Sequence, residues 1–131
     1  MSYRYSEVAA LDGTPLVESH QCVALVQHYA GAPVPAATIW HEGARVLDTV
    51  NTPIGTAIAT FVNGHYQSHS HGNHAALFMG REGNCIRVMD QWPGDPMKPT
   101  VSSRLICPKG KFRNGSFHDP SNNADAFSII E

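Results

Sequence analysis

From residue 55 onward the chain is cut into short apolar runs separated by turn signals. Runs of that length bury their backbone groups only by pairing with one another. Residues 55–62 end at Asn63-Gly64, and residues 74–80 are followed by Arg81-Glu82-Gly83-Asn84. Residues 85–92 stop at Pro93-Gly94-Asp95-Pro96, residues 101–107 form the next run, and residues 127–130 the last. Ahead of them, residues 19–33 carry a different period. Val23, Val26 and Ala30 recur at helical spacing with Leu25 and Tyr29, Ser19 is the expected N-cap, and Gly31 followed by Pro33 is the expected stop. A second, shorter helix is expected between Trp40 and Val50, before Pro53. Residues 108–125 are polar and rich in Gly, Asn and Pro, and read as a long loop. Helices first and strands after predict an α+β fold, with N-terminal helices packed on a mainly antiparallel β-sheet.

The 131 residues, 42% of them hydrophobic, suffice for one core and predict a single domain spanning 1–131. The net charge is −2, with 15% charged residues, which argues against a protein that grips nucleic acid. No apolar run is long enough to cross a membrane, and no membrane insertion is expected. The first twenty residues include Arg4, Glu7, Asp12 and Glu18, so no Sec signal is expected and synthesis is assigned to the cytoplasm. Charge is uneven: residues 1–80 hold two basic and five acidic side chains, and residues 81–131 hold seven and six, with Lys109, Lys111 and Arg113 bunched.

The cysteine count is odd, three in all, which leaves at least one thiol free. Cys22 falls in the first turn of the expected helix, where unpaired N–H groups and the helix dipole favour a thiolate. His74 opens a strand and supplies a general base for that thiol. A third group must hold the imidazole tautomer. On the strand after residue 85, Ile86, Val88 and Asp90 share one face, while Arg87, Met89 and Gln91 share the other. The apolar row is expected to pack on the Cys22 helix, which aims Asp90 at the cysteine–histidine pair; Gln91 is the competing choice.

The ordered set Gln21-Cys22-Val23-Ala24-Leu25-Val26, Gly55-Thr56-Ala57-Ile58-Ala59-Thr60-Phe61, Gly72-Asn73-His74-Ala75-Ala76-Leu77-Phe78 and Val88-Met89-Asp90-Gln91-Trp92 resembles the NlpC/CHAP class of papain-like amidases. That class frames its site with a cysteine helix, a Gly-x-Ile strand and a His-x-Ala strand. Small size and the lack of a signal or wall-anchoring segment look most like the amidase effectors of type VI secretion. The resemblance implies a papain-like fold, peptidoglycan peptide stems as substrate, a secretion apparatus, and a cognate immunity protein. It also implies action in the periplasm of target cells, with no cofactor. Two features depart from the class. Its third residue is often His or Asn, here Asp90 or Gln91, and no side chain matches its oxyanion donor.

The cluster His69-x-His71-x-x-His74 does not match a zinc spacing, so no metal is expected; His69 and His71 read as loop residues or substrate contacts. Trp92 is a candidate groove wall. Three functions compete: a peptidoglycan amidase or endopeptidase, another cysteine peptidase or acyltransferase of the superfamily, and a non-catalytic or metal-dependent histidine-rich module. Finally, a register that sets Asp90 opposite Ser102 also sets Cys85 opposite Cys107, so these two cysteines are expected to form a disulfide.

Overall fold

The computed structural model describes residues 2–131. Helix α1 is Cys22–Ala30 and the short α2 is Ala36–Ile39. The strands are β1 Glu42–Arg45, β2 Ala57–Thr60, β3 Ala75–Glu82, β4 Cys85–Asp90, β5 Ser102–Ile106 and β6 Phe127–Ile130. They form one antiparallel sheet in the order β1-β6-β2-β3-β4-β5. The fold is papain-like α+β, with the helix that starts at Cys22 laid on the sheet. Among the described residues no helix is long and apolar enough to cross a membrane.

Alternation along the strands sorts the core into two layers. Leu25 and Val26 of α1 pack with Ala57, Ala59, Ala75, Leu77 and Met89 on one face of the sheet. The alanines there let the helix backbone approach closely. On the other face Ile58, Ala76, Phe78, Ile86 and Val88 pack with Ile106, Ala124 and Phe127. The row Ile86–Val88 therefore lies on the face away from the cysteine helix, and the expectation that it packs against α1 is wrong. A strand buried on both faces offers apolar side chains in both directions, so hydrophobicity alone does not tell its faces apart.

Two further expectations are corrected. Residues 40–50 form no α-helix: they hold β1 and a 3-10 turn, Val46–Asp48. Pairing decides this, since Glu42 lies opposite Ile130 and Arg45 opposite Ser128. The N-cap of α1 is Gln21, not Ser19, and it makes no side-chain capping bond; Gly31 ends the helix in the left-handed conformation.

The β4–β5 register pairs Asp90 with Ser102 and Ile86 with Ile106, as expected. At its far end Cys85 and Cys107 are joined by a disulfide, which leaves Cys22 as the free thiol. The long loop after β5 is ordered by one buried amide. Asn123 accepts from Lys109 N at 2.8 Å and donates to Gly110 O at 3.0 Å and His118 O at 2.7 Å. That loop brings Asp119, Ser121 and Asn122 to the end of the sheet where β3 begins and β4 ends.

Candidate active site

Cys22 is held in place by the segment before it. Gln91, fully buried just after β4, accepts from Val17 N at 2.9 Å and donates to Val17 O at 3.2 Å and Gln21 O at 2.8 Å. It thereby ties the entry of α1 to the sheet. Gln91 faces the helix, and no bond joins it to His74, so its contacts are those of an anchor.

His74 immediately precedes β3. Its backbone is locked to β2: His74 N donates to Thr60 Oγ1 and Thr60 N to His74 O, both at 3.0 Å. The register Leu77 opposite Met89, extended toward the strand start, puts Ala76 opposite Asp90 and His74 opposite Trp92. His74 and Asp90 are thus diagonal neighbours on one face. His74 Nε2 donates to Asp90 Oδ2 at 2.8 Å, which leaves Nδ1 as the ring nitrogen free to act on the neighbouring Cys22 thiol. Cys22, His74 and Asp90 are brought together in that order. Asp90 reaches the pair from the face opposite α1, and the two faces meet because all three residues lie at the end of the sheet.

Asp90 is fully buried and is also held by two cations. Arg104 Nε donates to Oδ2 at 2.7 Å, and Lys98 Nζ lies 2.8 Å from Oδ1. The Lys98 contact is an ion pair without an aligned hydrogen bond, because the ammonium donates instead to Ser102 O at 3.1 Å and Ser102 Oγ at 2.6 Å. Both cations lie over the ring of Trp92, at 4.6 Å for Lys98 and 5.0 Å for Arg104. Arg104 is fixed from outside by Asn122 Oδ1 at 2.6 Å and Ser121 O at 3.0 Å. A carboxylate held on three sides cannot turn away from the imidazole.

The electrostatics follow from these contacts. Burial pushes the Cys22 thiol up, but hydrogen bonds from His74, Tyr66 and the Ala75 backbone, together with the charge on His74, bring it below its ordinary value. Burial pushes His74 down, and bonds to Asp90 and Cys22 outweigh it, holding the imidazolium at about 9. Burial raises Asp90, while His74, Arg104 and Lys98 overcome that and hold it at about 2. The favoured state is a thiolate–imidazolium pair beside an ionised aspartate. A thiolate backed by an imidazolium can attack a carbonyl and then protonate the leaving group.

A cavity of about 710 Å³ opens over the pair, lined in part by Cys22, His74, Trp92, Arg104 and Asp119. His69 and His71 are exposed on its wall. Among the described residues no group of three or more His, Cys, Asp or Glu side chains is arranged to hold a metal. Lys109, Lys111 and Arg113 do not line this cavity; Lys109 pairs with Asp119 at 2.7 Å, and Lys111 lies over Phe117.

Sequence reasoning missed Lys98, Arg104, Asn73 and Tyr66, whose hydroxyl lies 3.6 Å from Cys22 Sγ. Arg104 was within reach: the expected register of Asp90 with Ser102 makes it diagonal to Asp90 on the same face. Tyr66 had no such signal, since it sits in the turn-rich segment between β2 and β3.

A cysteine at the start of a helix, laid on an antiparallel sheet that offers a histidine and an aspartate at one end, defines the papain-like class. The sequence matches the family described as domesticated amidase effector 2 over residues 2–130. It is 46% identical to a type VI secretion amidase effector 2 protein of Salmonella typhi, over the full length of both chains. It also matches a solved structure of a type 6 secretion amidase effector 2 with a TM-score of 0.89 and 44% identity, covering 98% of this chain and 94% of that one. The chain belongs to the amidase effector 2 family.

Proposed function

We propose that this protein is an antibacterial cysteine amidase whose residues 1–131 act as one catalytic domain. It hydrolyses amide bonds in peptidoglycan peptide stems or in their D-Ala–diaminopimelate cross-links. One observation carries the reading: His74, beside Cys22, gives one ring nitrogen to the buried Asp90 and leaves the other for the thiol. Family membership supports the amide bond, the cell-wall substrate and delivery by a type VI secretion apparatus. Action in the periplasm of the target cell follows, because that is where the substrate lies. An open cavity that admits a branched peptide also admits a protein loop, and a cognate immunity protein is assigned to that cavity.

The chemistry divides as follows. Cys22 Sγ attacks the carbonyl carbon, and the carbon–oxygen electron pair moves onto oxygen. The backbone N–H of Cys22, in the first turn of α1, is one donor to that oxyanion. As the oxyanion collapses, the carbon–nitrogen bond breaks and His74 gives its proton to the leaving amine. Water then attacks the thioester, His74 takes its proton, and the thiolate is regenerated. Asp90 keeps Nε2 protonated and the ring in place throughout.

The test is digestion of purified sacculi with wild-type protein and with Cys22→Ala, each with and without a chelator, read by mass spectrometry of the released muropeptides. Thiol-dependent, chelator-insensitive release of peptide fragments is the expected result. Release that survives Cys22→Ala, or that a chelator stops, would overturn the reading.

A further inference from the structure

Tyr66 takes no part in the cysteine–histidine–aspartate reading, yet its hydroxyl reaches the nucleophile. The ring is buried against Trp40, with centroids 4.9 Å apart, and Oη lies 3.6 Å from Cys22 Sγ. A phenol has one proton, and the surroundings decide where it points. Asn73 Nδ2 lies 3.2 Å from Tyr66 Oη. The Asn73 amide has only one workable orientation, because its Oδ1 must accept from the backbone N–H of His69 at 2.7 Å. Asn73 is therefore the donor to Tyr66, and the Tyr66 proton is left for the sulfur. The result is a one-way chain of hydrogen bonds, from His69 N through Asn73 and Tyr66 to Cys22.

From this geometry, and resting on the cysteine amidase reading above, we infer that Tyr66 is a catalytic residue whose hydroxyl follows the negative charge from Cys22 Sγ to the substrate carbonyl oxygen. It thereby completes the oxyanion site with the backbone N–H of Cys22. When the sulfur–carbon bond forms, the charge on sulfur is consumed and reappears on an oxygen one bond angle away. A donor already within reach of Sγ reaches that oxygen by rotation of its own O–H. The proton stays on Tyr66 throughout: burial and the neighbouring thiolate both raise its pKa well above the ordinary phenol range. Asn73 remains the donor behind it, so the phenol is aimed without needing to reorganise.

The experiment compares Tyr66→Phe with wild type in three assays. The isosteric ring keeps the packing against Trp40, and the melting temperature checks this. Turnover of purified muropeptides is expected to fall about 10² to 10³-fold in kcat, with KM within about threefold. Alkylation of Cys22 by iodoacetamide, which builds no oxyanion and meets no other free thiol, is expected to stay within about fivefold. Affinity for a short peptide aldehyde ending in D-alaninal, whose adduct with Cys22 carries the oxyanion, is expected to fall about 10²-fold. Asn73→Ala, on the cavity wall, serves as a second variant and should lower kcat about tenfold with alkylation unchanged.

The inference is overturned if kcat changes less than about fivefold in both variants, or if kcat and alkylation fall by the same factor, which would confine Tyr66 to the sulfur. If wild-type protein cleaves no muropeptide but its aldehyde adduct depends on Tyr66, the substrate reading fails and the role of Tyr66 stands.

Discussion

Asp90 and Gln91 are neighbours in sequence, and their side chains leave the sheet on opposite faces to support the same proposed nucleophile, Cys22. Asp90 bonds His74 at 2.8 Å on the face away from α1. Gln91 binds the backbone of Val17 and Gln21, the approach to Cys22, on the face that carries α1. The end of β4 thus holds His74 with one residue and the approach to Cys22 with the next. The two residues are expected to fail differently when substituted.

Cys22→Ala and His74→Ala should each abolish muropeptide release with the melting temperature little changed, because nucleophile and base act as a unit. Asp90→Asn should leave a remainder, with kcat down by about 10² to 10⁴-fold, since it removes orientation and charge but not the reacting groups. Near-normal release by Cys22→Ala would reject the assignment of the nucleophile.

Gln91→Ala should act chiefly on stability. It leaves the part-buried Val17 and Gln21 backbone groups without their partner, at up to about 1 kcal/mol for each lost bond. Denaturant unfolding reads the loss, and the surviving folded fraction should keep the wild-type pH profile. A pH profile shifted like that of Asp90→Asn would mean that Gln91 acts on the imidazole instead.

Activity should require both charges of the thiolate–imidazolium pair. The His74 imidazolium is lost as pH rises through about 9, so kcat/KM should fall on an alkaline limb near that value. Asp90 is one of the groups that raise His74, so Asp90→Asn should move that limb to lower pH. A limb that stays in place in Asp90→Asn would refute the coupling. Stability responds at the other end of the scale. Asp90 is held at about 2, below its ordinary 3.8, so its contribution is complete above 3.8 and is lost as pH falls toward 2. Urea unfolding across pH 2–5 should show this loss, and it should be smaller in Asp90→Asn.

The Cys85–Cys107 bridge closes a separation of 22 residues at the far end of β4 and β5. Reduction should destabilise the protein by roughly 3 kcal/mol in the chain-entropy model. Thiol titration of denatured, unreduced protein should find Cys22 alone; three reactive thiols would show that the bridge does not form. Cys85→Ser combined with Cys107→Ser should unfold at lower temperature while retaining activity below its transition.

Local chemistry made the last five strands of the sheet and α1 legible in sequence. Gly31 stops the helix wherever it folds, and the turns at Asn63-Gly64 and Gly83-Asn84 follow from backbone freedom there, Gly83 having φ 66°. The register of β4 on β5 was also accessible, because it depends on strand parity and a short connection. Asp90 was reached from the right alternation but the wrong face. Parity says which residues share a side, and it is silent on which side a helix covers.

The sequence by itself determined α1, the last five strands, their order, and the three residue types on which the proposed chemistry rests, because each depends on neighbours a few positions away. Tertiary structure decided the rest. The strand state of residues 42–45 comes from β6, some 85 positions later. The clamp of Lys98 and Arg104 on Asp90, and the line from His69 through Asn73 and Tyr66 to Cys22, exist only once loops far apart in the chain close over one end of the sheet. Hydrogen bonds act over about 3 Å, and no periodicity along a chain records which distant side chains will come within that range.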